Sequence, residues 1–171
     1  MDAPHVNVVR STRRKRSAAA RVVDGVVEVR VPAGLSRRDE ARIVERLVAR
    51  IERRTQSEPI DLIARAAHLA HRYDLPEPDT IRWVDNQASR WGSCTPATRT
   101  IRLSTRLAAF PEWVIDYVIV HELAHLVVHG HGADFWDLVN RYPRTERARG
   151  YLMAMEVPRS PGVPDERGEG A

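Results

Sequence analysis

The spacing of apolar positions divides the chain into a strand-rich start, a helical middle and a mixed second half. Val6 to Val9 and Ala20 to Val31 are rich in β-branched residues, and Asp24-Gly25 sits between Val23 and Val26. Asp-Gly flanked by valines predicts a hairpin, because both turn residues tolerate positive φ. Pro32-Ala33-Gly34 ends that sheet, and Ser36 with Asp39 three residues later forms a capping-box start. Ile43, Val44, Leu47, Val48 and Ile51 then recur at helical spacing to about Arg53. A second helix is expected from about Pro59 to Tyr73, stopped by Leu75-Pro76-Glu77-Pro78. Thr80 to Asp85 and Arg99 to Ser104 alternate apolar and polar residues and predict half-exposed strands, with Arg90 to Pro96 between them as a turn or edge. Glu112 to about His129 is the most apolar helical stretch and is expected at the centre. Two shorter helices follow at 134–141 and 146–155. Strands and helices without βαβ alternation make the fold class α+β.

Composition narrows the class. A chain of 171 residues that is 43% hydrophobic and 29% charged is globular and has room for about one domain. The stretch from Trp113 to Val128 is interrupted by Asp116, His121, Glu122 and His125, too short and too polar to span a bilayer. The first sixteen residues carry charge without an apolar stretch behind them, so no signal peptide and a cytoplasmic location are expected. Cys94 is the sole cysteine, which excludes a disulfide scaffold. The net charge of +4 falls entirely within residues 1–30, around Arg10, Arg13, Arg14, Lys15 and Arg16. Such a cluster suits a phosphate backbone or an acidic partner. A solvated strand edge is the simpler reading, so nucleic-acid binding is carried as the less favoured alternative. His68 and His71 lie three apart without an acidic or cysteine neighbour and read as helix-surface residues.

The chemistry lies in His121-Glu122-Leu123-Ala124-His125, an H-E-x-x-H on the central helix. Four residues advance a helix by about 400°, so the two imidazoles stand about 40° apart on one face. There they can share one metal, while Glu122 points to the side of the pair and can act as general base. A third ligand must come from a chain reversal. His131, flanked by Gly130 and Gly132, is preferred over His129 for that place. Three histidines leave one position open, as in catalytic zinc sites, so one Zn2+ ion is expected on His121, His125 and His131. Trp91, Cys94, Phe135, Trp136, Met153 and Met155 read most simply as packing residues.

HELAHLVVHGH has the H-E-x-x-H-x5-H spacing of metzincins, but Val128 stands where the metzincin glycine would fall. The chain better resembles the YgjP-like metallopeptidase domain family and its SprT-like and Wss-type relatives. The resemblance rests on Arg90-Trp91-Gly92-Ser93-Cys94, Ile115 to His125 and His131-Gly132-Ala133-Asp134-Phe135-Trp136, and on an N-terminal hairpin with an Arg-rich turn over 10–31. Ser104, where the family usually shows Asn, and Gly132, where YgjP-like chains often show Ser, depart from the pattern. The resemblance implies a minimal zincin-like fold: a small, mainly antiparallel sheet packed on the active-site helix, preceded by a β-hairpin. Residues 1–155 are then a single unit of hairpin (1–34), helical segment (35–75) and metal-site core (80–155), with 156–171 a disordered tail. It also implies peptide hydrolysis with three histidine ligands and Glu122 as base. An edge strand near Arg99 to Ser104 is expected to hold an extended peptide substrate. The alternative is a nucleic-acid-associated module or DNA-linked protease in which the Arg-rich hairpin binds DNA and zinc is mainly structural. Hydrolysis of a non-peptide amide is a third reading. Substrate identity and oligomeric state are not encoded in these patterns.

Overall fold

The chain reverses sharply at Asp24-Gly25, where both residues take left-handed backbone angles (φ 50° and 78°). That turn joins two antiparallel strands, β2 (Ala19–Val23) and β3 (Val26–Pro32). The structure, a computed structural model, describes residues 5–156; all of the expected tail (156–171) but Glu156 lies outside the described residues. A further strand, β1 (Val6–Ser11), pairs in parallel with β3, so the N-terminal hairpin becomes a three-stranded sheet of order β1-β3-β2. The Arg-rich segment therefore links two edge strands that do not pair with each other. Arg10 is taken up by Glu40 through a bidentate ion pair at 2.7 Å, fixing the sheet to the following helix.

Alternation in β3 puts Val27, Val29 and Val31 on one face, and the sheet buries them against α1 (Arg37–Ser57). The helix meets them with Ile43, Val44, Leu47, Val48 and Ile51, the residues at helical spacing. Ser36 caps α1 by accepting the Asp39 N–H. The second helix, α2 (Leu62–Tyr73), starts later than Pro59 because Asp61 is its cap, accepting from the Ile63 and Ala64 N–H groups.

A second sheet holds β4 (Thr80–Val84), β5 (Gly92–Thr95) and β6 (Thr100–Ser104) in the order β4-β6-β5. One of its pairs is parallel and one antiparallel, as in the first sheet. Each sheet is thus mixed, where a mainly antiparallel one was expected, because the strand between the two parallel neighbours in sequence pairs on the other side of the central strand. The strand at Arg99 to Ser104 is also central, so the edges belong to β4 and β5. Ile81, Ile101 and Leu103 turn one sheet face toward α3 (Glu112–Ala124), whose faces are apolar nearly all round. Nine of the thirteen α3 residues are buried, with α2 and α5 (Thr145–Met155) also packed on it. The class is α+β, and α3 is its axis. Among the described residues, no helix is long and apolar enough to cross a membrane.

Candidate metal centre

The helix carrying H-E-x-x-H ends sooner than its apolar run suggests. Regular geometry stops at Ala124, with His125 as the C-cap, and a tight turn follows. Gly130 then takes φ 83°, a conformation costly for any side chain, and the chain doubles back. Gly132 has ordinary extended angles, so only one of the two flanking glycines is needed for the reversal. A short helix, α4 (Ala133–Val139), begins immediately afterwards and fixes the returning loop.

This reversal brings His131 to His121 and His125. Ligand atoms from the three rings lie within 4.8 Å of one another, and they form the cluster of this kind found among the described residues. His129 is exposed and outside it, and His68 and His71 are exposed on α2. Two of the nitrogens, His121 Nε2 and His131 Nε2, face each other at 3.3 Å. That equals the edge of a tetrahedron with metal–nitrogen bonds of 2.0–2.1 Å, about 3.3–3.4 Å. His125 Nδ1 donates to the Val128 carbonyl at 3.2 Å, which leaves its Nε2 lone pair free to face the others. Phe135, fully buried, stacks on His125 at 4.4 Å and meets the other two rings edge-on, walling the cluster from behind.

Electrostatics favour a cation here. Burial drives the His121 pKa down to about 3, with His125 and His131 adding to the effect, so its ring is neutral and offers a lone pair. Burial also lowers the His125 pKa. Glu122, only 5% exposed, is pushed up to about 8 by burial, with Arg90 the opposing influence. Three converging imidazoles beside a desolvated carboxyl fit a divalent cation on chemical grounds.

Arg90-Trp91-Gly92-Ser93-Cys94, expected as a turn or edge, supplies the other wall, with Gly92 to Cys94 in edge strand β5. Gly92 is there for space: a Cβ at this position would stand 2.5 Å from Glu122 Oε1. The motif was visible in the sequence, but the contact that requires its glycine arises only when β5 meets α3. Trp91 packs on Phe110 at 5.0 Å and carries the Arg106 guanidinium 4.0 Å above its ring. Burial and the nearby Glu122 charge raise the Cys94 thiol to about 11, so it is a packing residue of low reactivity. The methionines differ from expectation. Met153 is 71% exposed and Met155 is exposed too, because α5 turns that face away from the core.

Two clefts of about 330 Å3 each open on either side of the pair His121 and Glu122. One is lined by Tyr117, Arg149 and Met153, the other by Cys94, His125 and His131. Arg90 and Gly92 border both. The arrangement places three converging imidazoles beside a buried carboxyl, with open space on both sides.

None of the curated proteins matches this chain. Among solved structures it is similar to the metallopeptidase zymogen of Pyrococcus abyssi abylysin, at 22% identity and a TM-score of 0.49 over 54% of this chain and 91% of that one. It is similar also to the metallopeptidase zymogen of Methanocaldococcus jannaschii jannalysin, at 20% identity and a TM-score of 0.49, covering 56% and 97%. The family described as YgjP-like, metallopeptidase domain, matches residues 56–154, a span that holds the second sheet, the three clustered histidines and Glu122. With well over half of its length matched, the chain belongs to the YgjP-like metallopeptidase domain family.

Proposed function

We propose that this metallopeptidase is zinc-dependent and hydrolyses peptide bonds, with His121, His125 and His131 holding one ion and Glu122 as general base. The observation that carries the reading is the convergence of three imidazole nitrogens within 4.8 Å beside a buried carboxyl. When bound, zinc supplies Lewis acidity, polarising a carbonyl and lowering the pKa of a water toward about 7. Glu122 accepts the proton of the attacking water at a carboxylate oxygen and delivers it to the leaving amine nitrogen. Gly92 leaves that carboxyl its place, and Phe135 with the Val128 carbonyl holds His125 in orientation. The extended substrate is held along β5, the edge strand that borders both clefts, by addition of a strand to its unpaired side.

The test combines metal content with turnover. Glu122→Gln preserves shape but takes no proton, so it is expected to retain zinc and lose peptide hydrolysis by about 10²-fold or more. His131→Ala is expected to lose zinc while His129→Ala keeps it. Undiminished hydrolysis by a zinc-loaded Glu122→Gln protein removes Glu122 from the chemistry, and full zinc occupancy in His131→Ala removes the third ligand.

A further inference from the structure

The face of the second sheet turned away from α3 carries a groove of about 830 Å3 that the hydrolytic reading leaves unused. Arg82 and Arg102 are register partners on β4 and β6, and Ser93 of β5 is the next residue in the same row. Arg90 and Arg50 also line the groove. Arg50 is paired with Asp85 at 3.0 Å. Among the described residues, Arg82, Arg90 and Arg102 have no ion-pair partner (the ion pairs present use other arginines).

Strand alternation ties this groove to the metal centre. In β5, Gly92 faces Glu122, and the next residue, Ser93, lines the groove. A peptide laid beside β5 inherits the same alternation: one side chain turns to the metal side and its neighbours turn over Ser93. Ser93 is short and accepts from Gln87 Nε2 at 2.7 Å, so the Gln87 amide borders the row between the incoming side chain and Arg102. Two strand spacings, about 9–10 Å, separate the peptide backbone from β6, a gap that an arginine and a carboxylate side chain span together. Arg90 lies where the groove meets both metal-side clefts.

We infer that the arginine groove behind β5 selects acidic peptide segments, taking Asp or Glu side chains that flank the segment held at the metal centre. The inference rests on the peptidase reading and names its substrate class. A nucleic acid suits the groove less well. Single strands are held by stacking bases on exposed aromatic faces, whereas Trp83, the aromatic residue of this lining, has its indole N–H buried. Asp85 in the same lining opposes a continuous phosphate backbone but leaves room for separate carboxylates.

The experiment measures binding on the full-length, zinc-loaded Glu122→Gln protein. Labelled unstructured peptides of equal length carry Glu, Gln or Lys at alternate positions, and a single-stranded oligonucleotide of equal charge competes. The Glu peptide is expected to bind about tenfold tighter than the Gln peptide, with affinity falling as salt rises. Arg82→Gln with Arg102→Gln should abolish that preference, and Arg82→Lys with Arg102→Lys should keep most of it, which separates charge from folding. Equal affinity for Glu and Gln peptides overturns the inference, as does a preference that survives the double Gln change. Tighter oligonucleotide binding lost in the same variant reassigns the groove to nucleic acid and equally overturns it. Acidic-peptide binding by a parent protein that hydrolyses no peptide would instead remove the peptidase reading and leave the groove's selectivity standing.

Discussion

At the scale of single residues, the site is governed by how little room surrounds Glu122. Its carboxyl is desolvated by α3 and β5 together, and the β5 residue against it is a glycine whose added Cβ would overlap Oε1. Gly92→Ala must therefore push the carboxyl aside or open β5 from α3. A displacement near 1 Å at a reacting group costs on the order of 10²-fold in rate. Gly92→Ala is expected to keep its zinc, since none of the three histidines is touched, while kcat falls about 10²-fold. Parallel measurement of zinc content and kcat decides the point, and a variant with parental kcat would show that Glu122 has slack.

At the scale of elements, the active-site helix depends on neighbours whose ends are fixed by caps. Helix α2 packs on α3 through Leu62, Ala66, Leu69 and Ala70, and its first turn is held by Asp61 through two N–H groups at 3.1 and 3.0 Å. Asp61→Ala leaves those donors without a side-chain acceptor and is expected to cost about 1 kcal/mol. For a chain of this size that is roughly 2–4 °C in melting temperature. Asp61→Ser, which restores an acceptor, should recover most of the loss, and thermal unfolding of both variants measures it. Metal content should be unchanged in either, because Asp61 caps α2 and the clustered histidines lie on other segments.

At the scale of the whole molecule, α1 is joined to the second sheet by Asp85, which accepts from Arg50 Nε at 3.0 Å and Thr105 Oγ1 at 2.8 Å. Burial alone would raise the Asp85 pKa, but the Thr105 hydrogen bond and the arginines outweigh it and hold it below the usual carboxylate value. A group depressed in the folded state contributes stability above its unfolded pKa and loses it as pH falls through the folded value. Stability is thus expected to fall between about pH 5 and pH 3, and Asp85→Asn should make that acid limb shallower. Glu40, held low by hydrogen bonds from Arg10, leaves a residual slope. Urea unfolding at a series of pH values measures both, and an unchanged limb in Asp85→Asn would exclude the linkage.

Periodicity and motif spacing by themselves determined the α+β class, the Asp24-Gly25 turn, the Ser36 cap, the central apolar helix and the facing pair His121 and His125. These features are local: each follows from the conformations of adjacent residues or from the 3.6-residue turn. The third histidine was legible as a candidate, because Gly130 announces a reversal, but only the folded loop brings His131 rather than His129 to the other two rings. Strand order was not legible at all. The parallel pairing of β1 with β3, the central place of β6 and the edge place of β5 depend on which surfaces bury one another across long connections. The same packing decided that Gly92 lies against Glu122 and that Met153 and Met155 face outward. Arg82 and Arg102 became one charged row by the same route, since a single strand records which side chains alternate but not which neighbour completes the row.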